Sequence, residues 1–392
     1  MSKQAGEAAN VRVFCPRLGE REEFAEGLAP LWDSRLISLG KYCERLEEEA
    51  AKYLGVKHAV AVGNCTSGLM LCMKALGMEG EVILPSYTFT ATAHAAVWAG
   101  LEPVFVDCEP LTWTIDPAKV EEAIGPQTGG IIAVSIFGVP PRYCELEQLS
   151  KKHNLPLLTD SAQAIGSEYW GKKAGGFGDA EVFSLSPTKV VTAGEGGLVT
   201  TNDDRVAEYV RQGRDYGKNG SDVDFIGLSA RMSEFHALLG LHNLQALEQA
   251  LTRRFSLIER YKRRLKELAG IRFQHVPRGC RPSTNYFVIY VDDERCPVSR
   301  DELHFRLAEM GIETKRYFWP PVHMLKAYRQ YRKKYEGKLP VTEKVAASTL
   351  AMPLFTEMED QQVDRVCDGI EGILREVSLN RKAVETKGEV RS

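Results

Sequence analysis

Short apolar runs alternate with stretches in which apolar residues recur every three or four positions. The apolar runs predict buried β-strands over residues 58–62, 81–85, 103–107, 131–135 and 155–160. The periodic stretches predict α-helices over residues 44–55, 66–77, 90–100, 116–124 and 143–154. This order favours a parallel α/β sheet, because each strand is joined to the next by a crossover helix.

The pattern changes after residue 201. Residues 236–268 form one long helical pattern, broken at most once, that could connect two lobes. Beyond it, strand-like runs and the helical stretch at 301–311 indicate a smaller α+β domain. We therefore expect four parts: a disordered N-terminus (1–10), a large α/β domain (11–245), a small C-terminal α+β domain (246–376) and a frayed polar tail (377–392).

Composition is that of an ordinary globular protein and argues against several functional classes. The 392 residues, 44% hydrophobic and 26% charged, are enough for two packed lobes. The net charge is -3 without a basic block, so nucleic acid is not an expected partner. No apolar stretch approaches the ~20 residues of a membrane span, and the first residues lack a signal-peptide core. Nine cysteines without a C-x-x-C pair favour reduced thiols, so we expect a cytoplasmic protein.

One lysine and one aspartate carry the strongest chemical signal. Asp160 ends an apolar run, and Lys189 follows a second strand-like run and a serine-rich turn. Pyridoxal phosphate needs such a pair, because a lysine amine forms an imine with its aldehyde and a carboxylate keeps its pyridine nitrogen protonated. Either residue alone would more readily be an exposed side chain, so the interpretation depends on the segments around them.

The phosphate of such a cofactor needs a cradle, which helix N-termini at the carboxyl ends of strands provide. The strand at 58–62 leads through Gly63 into a helix that opens with Thr66 and Ser67, whose hydroxyl and backbone groups can donate hydrogen bonds. From this pattern alone an ordinary capped helix is an equal alternative. Ser184 lies in the strand-like run before the lysine and could reach the same phosphate, or be a buried hydroxyl bonded to backbone.

Two further side chains fit a pyridine ring. Phe89 follows the strand at 81–85 and could stack on the ring, with Tyr87 in reserve, although an aromatic residue there is more often part of a core. Gln163 could hydrogen-bond the ring oxygen, or be a surface or capping residue. The GEGG run at 194–197 is not G-x-G-x-x-G, which counts against a nicotinamide cofactor, and no H-x-x-x-H pair suggests a catalytic metal.

Several motifs together resemble the pyridoxal-phosphate-dependent nucleotide-sugar aminotransferases, the DegT–DnrJ–StrS group of fold type I. The resemblance runs from about residue 30 to about residue 375 and rests on NCTSGL (64–69), PVFVDCEP (103–110), TDSAQAIG (159–166), GDAEVFSLSPTK (178–189), GEGG (194–197) and ARMSE (230–234). Residues 85–107 are most similar to enzymes that aminate C4 of a TDP-4-keto-6-deoxyhexose. The resemblance implies a large, mostly parallel-sheet α/β domain and a smaller C-terminal α+β domain.

The resemblance also implies roles for individual residues. Lys189 would be the imine-forming lysine and proton carrier, and Asp160 would pair with the pyridine nitrogen. The implied cofactor contacts are Thr66, Ser67 and Ser184 with the phosphate, Gln163 with the ring oxygen and Phe89 with the ring face. L-Glutamate is the implied amino donor, pyridoxamine phosphate the intermediate and a nucleotide-linked keto sugar the acceptor.

Members of this group are homodimers with active sites at the subunit interface. An asparagine usually reaches the partner's phosphate there, and in this chain Ser229 stands at that position, which puts the contact in doubt. His323 and Tyr317 match positions near the sugar. Two alternatives stay open: an aminotransferase that acts on a keto-cyclitol, and a pyridoxal-phosphate-binding regulator without turnover.

Overall fold

The structure is a computed structural model that describes residues 10–389. Its strands in chain order are β1 (His58–Val62), β2 (Glu81–Pro85), β3 (Glu102–Val106), β4 (Thr128–Val134), β5 (Leu157–Asp160), β6 (Glu168–Tyr169), β7 (Lys172–Lys173), β8 (Ala180–Ser184), β9 (Gly197–Thr201), β10 (Lys218–Asn219), β11 (Asp222–Val223), β12 (Ile271–Phe273), β13 (Cys280–Arg281), β14 (Phe287–Val291) and β15 (Thr349–Met352).

The helices in chain order are α1 (Arg21–Ser34), α2 (Lys41–Leu54), α3 (Cys65–Ala75), α4 (Thr90–Trp98), α5 (Pro117–Ala123), α6 (Tyr143–His153), α7 (Asp204–Gly213), α8 (Glu234–Gln245), α9 (Leu247–Leu265), α10 (Arg300–Glu309), α11 (Arg329–Tyr335), α12 (Pro340–Ser348) and α13 (Asp360–Glu389). Single 3-10 turns lie at Ile136–Gly138, Val322–Met324 and Lys326–Tyr328. Among the described residues, no helix is both long and apolar enough to cross a lipid bilayer.

A seven-stranded sheet forms the large lobe, in the order β1-β9-β8-β5-β4-β2-β3. From β8 to β3, neighbouring strands pair in parallel. Strand β9 pairs antiparallel with both β1 and β8, so β1 runs in the same direction as the parallel strands. The carboxyl ends of six strands therefore share one edge of the sheet, and the expected mostly parallel sheet is confirmed with one reversed strand.

Helices cover both faces of this sheet because both faces are apolar. In β1, Val60 and Val62 face a core that contains residues of α3, α4 and α7, whereas Ala59 and Ala61 face a core that contains residues of α2 and α8. Helices α5 and α6 pack on Ile83 and Ile131, farther along the same sheet. A side-chain period of two with apolar residues on both sides is typical of a fully buried strand.

The C-terminal lobe contains an antiparallel sheet in the order β12-β14-β15. Its core joins this sheet to α9, α10 and α13. The long helical pattern that precedes the lobe is divided into α8 and α9 at Ala246, which agrees with a pattern broken at most once. The domain boundaries themselves stay predictions.

The two ends of the chain fall partly outside the described residues. Residues 1–9, most of the expected disordered N-terminus, and residues 390–392 are not described. Helix α13 continues to Glu389, through the segment for which a frayed tail was expected. This segment is polar, but Lys, Arg, Ala and Glu are strong helix formers, and extending an existing helix avoids the cost of nucleation.

Candidate active site

A cavity of about 370 Å³ opens at the carboxyl-end edge of the large sheet. Its wall is formed by segments that follow β1, β2, β4, β5 and β8, and by side chains of the C-terminal lobe. Ligands of open α/β sheets bind at this edge. Of the predicted site residues, the wall contains Thr66, Phe89, Asp160, Gln163, Ser184, Lys189 and Tyr317.

Asp160 is a buried carboxylate that reaches the cavity from the last position of β5. Only 5% of its surface is exposed. Its Oδ2 accepts a hydrogen bond from Thr92 Oγ1 at 2.7 Å, and its Oδ1 accepts one from the Ala162 N–H at 3.1 Å. Burial raises the pKa of Asp160, while these hydrogen bonds and the charge of Lys189 oppose the rise. A cation brought to this carboxylate would therefore be stabilised.

Lys189 lies in the turn between β8 and β9 and is half-buried. Its Nζ lies 5.7 Å from the ring centroid of Tyr286. Among the described side chains of the cavity wall it is the one cation, and it forms no ion pair with a carboxylate among residues 10–380, whose side chains the structure describes. An amine in this position is accessible from the cavity and is not committed to a salt bridge.

The N-terminus of α3 points its free N–H groups towards the cavity edge. Asn64 caps the helix, its Oδ1 accepting from the Ser67 N–H at 2.8 Å. Thr66 lies in the cavity wall, but Ser67 does not, and the Ser67 hydroxyl donates to the Asn64 carbonyl. A Cβ on Gly197 would lie 2.8 Å from the Asn64–Cys65 peptide, so glycine there lets the helix begin directly over β9.

Ser184 and Gln163 each present a donor to the cavity. Ser184 is buried, and its Oγ accepts from the Ser186 N–H at 3.3 Å, which leaves its hydroxyl proton to donate elsewhere. Gln163 accepts from the Phe137 N–H through Oε1 at 2.7 Å, which leaves its side-chain NH₂ as the donor. The two side chains lie at the ends of adjacent strands, β8 and β5.

Aromatic side chains form the outer wall. Phe89 is 55% exposed and lies 5.9 Å from Phe318 between ring centroids. Tyr87, the reserve candidate, is fully buried and donates to the Tyr317 carbonyl at 2.8 Å, so it packs beneath the wall residues and does not line the cavity. Tyr286 also lines the cavity, and neither it nor Phe318 was expected, since they come from the C-terminal lobe without a periodic signal.

Besides Ser67, two further predicted residues do not line the cavity. His323 is fully buried, with Nδ1 2.7 Å from Ser86 Oγ and Nε2 3.3 Å from Glu343 Oε1. Ser229 is exposed, forms a backbone β-bridge with Asp215 and is not part of the cavity wall. The structure therefore brings together the expected lysine, carboxylate and hydroxyl donors and places these two residues elsewhere in the monomer.

Pyridoxal phosphate fits the chemistry of these donors. A phosphate dianion suits the first turn of α3 together with the hydroxyls of Thr66 and Ser184. A cationic pyridine nitrogen suits the buried carboxylate of Asp160, whose pKa is raised by burial. An aldehyde suits the amine of Lys189, which has no ion-pair partner among residues 10–380.

The family model described as DegT/DnrJ/EryC1/StrS aminotransferase family matches residues 19–371. The chain belongs to this family. It is thus a pyridoxal-phosphate-dependent sugar aminotransferase of fold type I, and the expected family, fold class, enzyme class and cofactor are confirmed.

Individual members of the family are similar over nearly their full length. The GDP-perosamine synthase of Caulobacter vibrioides is 31% identical over 375 residues, covering 93% of this chain and 98% of its own. The dTDP-4-amino-4,6-dideoxy-D-glucose transaminase of Shigella dysenteriae is 32% identical over 364 residues, covering 92% and 98%. The structure of DesI in the presence of its TDP-sugar product has a TM-score of 0.89 at 34% identity and covers 97% of each chain.

Proposed function

We propose that this enzyme moves an amino group from L-glutamate to C4 of a TDP-4-keto-6-deoxyhexose, in amino-sugar biosynthesis. The observation that most supports amino transfer is that Lys189 and Asp160 line the same cavity. One relative is named for a dTDP-4-amino sugar, and another was solved with its TDP-sugar product, which supports the acceptor. A third is named for a GDP sugar, so the nucleotide has to be tested.

The chain's own residues divide the chemistry between them. Pyridoxal phosphate supplies an aldehyde that bonds to amines and a ring that accepts the electrons of a carbanion. With the cofactor bound, Lys189 would hold its aldehyde between turnovers, and its Nζ, once freed by the donor amine, would take the proton from the donor α-carbon. In the second half-reaction the same Nζ moves a proton in the reverse direction. The charge of Asp160 keeps the ring nitrogen protonated throughout.

Binding is assigned to the remaining donors of the cavity. Thr66 and Ser184 hold the phosphate together with the N–H groups of α3, and the free NH₂ of Gln163 donates to the ring oxygen. Phe89 covers one face of the ring. Ser67 shapes the first turn of α3 through Asn64, because its hydroxyl is already engaged there.

The acceptor sugar lies against Tyr317, whose side chain lines the cavity. His323 supports the sugar site indirectly and does not touch the sugar, because its ring is fully buried and bonded to Ser86 and Glu343.

We propose that the enzyme is a homodimer whose sites lie at the interface. In the dimer the exposed loop that carries Ser229 would face the partner's cavity. Among the described residues, none of the nine cysteines forms a disulfide, which supports a reducing, cytoplasmic location.

The test is a comparison of acceptors at a fixed concentration of L-glutamate. The purified enzyme is given a TDP-4-keto-6-deoxyhexose, the matching GDP-linked sugar and a keto-inositol, and products are measured by mass spectrometry. We expect the TDP sugar to have the highest kcat/KM. A higher value with keto-inositol would establish the cyclitol alternative. Bound cofactor without amino transfer to any acceptor, under conditions where glutamate is also not consumed, would support the regulator alternative.

A further inference from the structure

A buried arginine fixes the backbone that enters β14. Arg254, in α9, is 4% exposed and donates to the carbonyls of Thr284 at 2.9 Å, Asn285 at 2.8 Å and Leu354 at 3.2 Å. Burial lowers the pKa of Arg254 to about 10, so it stays charged at neutral pH. Thr284 has a φ of 55°, a left-handed conformation that non-glycine residues rarely adopt. The arginine therefore holds a strained turn in place.

This turn presents two side chains to the segment that carries the reactive lysine. Asn285 Oδ1 accepts a hydrogen bond from the Val190 N–H at 3.0 Å. The Tyr286 hydroxyl donates to Thr188 Oγ1 at 3.0 Å. The residues immediately before and after Lys189 are thus both bound to consecutive residues of the C-terminal lobe, across about a hundred positions of sequence.

The lysine side chain itself contacts the same tyrosine. The Nζ of Lys189 lies 5.7 Å from the ring centroid of Tyr286, within the range of a cation–π contact. The ring is held by its neighbours, with Tyr317 at 5.4 Å and Phe137 at 6.0 Å between centroids. Without such contacts a lysine keeps the rotamer freedom of its four-carbon stem, which disfavours any single reactive geometry.

We propose that Asn285 and Tyr286 form a clasp that positions Lys189 for its bond to the cofactor aldehyde, with Arg254 holding the clasp in place. This inference rests on the proposed role of Lys189. Tyr286 acts through Thr188 and through its ring face, so it is a positioning residue. The clasp makes the geometry of a lysine in the large lobe depend on a turn in the C-terminal lobe.

A double-mutant cycle tests the clasp on the full-length enzyme. Tyr286→Phe, Thr188→Val and the double variant are stripped of cofactor and reloaded with pyridoxal phosphate, and the rate at which the Lys189 amine bonds the aldehyde, with release of water, is followed by absorbance. Each single variant should reload roughly five-fold more slowly, as expected for one lost hydrogen bond. The double variant should be no slower than either single variant, because both remove the same contact.

Further variants separate positioning from a loss of folding. Thr188→Ser keeps the acceptor oxygen and should reload at the native rate. Tyr290→Phe is the matched control, since Tyr290 lies in β14, the strand that Tyr286 directly precedes, with its ring under Arg272 and outside the cavity wall. Induced circular dichroism of the cofactor band should fall in Tyr286→Phe and Thr188→Val while thermal melting stays native.

Three results would overturn the clasp: native reloading in both single variants, effects that multiply in the double variant, or an equal effect of Tyr290→Phe. A different result would refute the proposed function: a Lys189→Ala variant that still transfers amino groups. If Lys189→Ala is inactive and the cycle shows no coupling, only the clasp is wrong. If Thr188→Val does not fold, the comparison of Tyr286→Phe with Tyr290→Phe tests the clasp, through the rate of cofactor reloading and the induced circular dichroism of the cofactor band.

Discussion

Lys189 is the residue on which the proposed chemistry depends. We expect Lys189→Ala to lower amino transfer by at least about 100-fold, the lower end of what a positioned acid–base group contributes. The measurement is kcat for the TDP-keto sugar with glutamate. Lys344→Ala is the control, because Lys344 is an exposed lysine paired with Glu294 and should leave kcat unchanged. Near-native turnover of Lys189→Ala would show that another group does the chemistry.

The ionised carboxylate of Asp160 should lower the stability of the cofactor-free enzyme, and the same carboxylate should be needed to bind the cofactor. Its folded pKa is raised by burial, so ionisation lowers stability once the pH exceeds the pKa of the unfolded chain, about 3.9. At pH 7 the apo form of Asp160→Asn should therefore melt at or above the temperature of the native apo form, and the difference should shrink as the pH falls towards 4. Cofactor should raise the melting temperature of the variant less than that of the native enzyme.

Differential scanning calorimetry of both apo and loaded forms provides this measurement. A variant that is much less stable than the native apo form at pH 7 would contradict the interpretation. In that case the carboxylate would serve the fold through Thr92 and Ala162, and its raised pKa would carry no functional meaning.

At the residue scale, sequence could predict which side chains lie near one another where each follows a strand at the shared edge, while their roles stay predictions. Asp160, Ser184 and Lys189 all lie at or just past such ends, so a linear pattern could place them together. It could not reveal that Asn64 engages the hydroxyl of Ser67. Nor could it find Tyr286, since its contact with the lysine depends on the packing of two lobes.

At the scale of elements, the predictions were best where burial imposes a period. The first two predicted strands have the bounds of β1 and β2, and the next three are shifted by one to three residues from β3, β4 and β5. Helix α1 was not predicted; it contains Pro30 and buries only Leu31. Strand β9 was not predicted either, and its reversed direction could not have been, because strand direction is not encoded in a local apolar pattern.

The junction of α3 and β9 gives a prediction about one glycine. Alanine at Gly197 would place a Cβ 2.8 Å from the backbone of Asn64 and Cys65, so the first turn of α3 must shift. We expect Gly197→Ala to lose about 1–3 kcal/mol of stability and to bind cofactor more weakly. Urea unfolding and cofactor titration measure the two effects.

Gly372→Ala is the matched control for this prediction. Gly372 lies within α13, and its added Cβ would meet no atom within 4 Å. Alanine there should raise stability by up to about 1 kcal/mol, through helix propensity alone. Equal effects of the two substitutions would mean that the close approach of α3 to β9 has no consequence for the site.

The turn that contains His323 should make stability depend on pH. Burial lowers the pKa of His323, although Glu343 opposes the shift, so its contribution is present above the unfolded pKa of about 6.5 and is lost as the pH falls below it. We expect the free energy of unfolding to fall between pH 7 and pH 5, with at most about 1.4 kcal/mol per pH unit from this one group.

Urea unfolding at several pH values measures this dependence. His323→Asn should be less stable at pH 7 and should show a shallower decline towards pH 5. The same substitution at His275, which is exposed, should leave the decline as it is. An unchanged slope in His323→Asn would assign the pH dependence to other groups.

At the scale of the whole molecule, one loop should govern assembly. Ile226 is 98% exposed and lies in the same loop as Ser229, the loop that the proposed dimer places against the partner. We expect a mass of about twice 43.7 kDa by light scattering, and a shift towards the single-chain mass in Ile226→Glu. Leu379→Glu, at an exposed position of α13, should keep the native mass.

The cavity wall extends in sequence from Asn64 to Phe318, and this spacing has a consequence for biosynthesis. A ribosome adds Lys189 about a hundred residues before Tyr286. At roughly 5–20 residues per second, the nascent chain carries the lysine without its clasp for on the order of 5–20 seconds. Cofactor capture in the native geometry therefore follows the synthesis of Tyr286 and cannot begin when Lys189 is made.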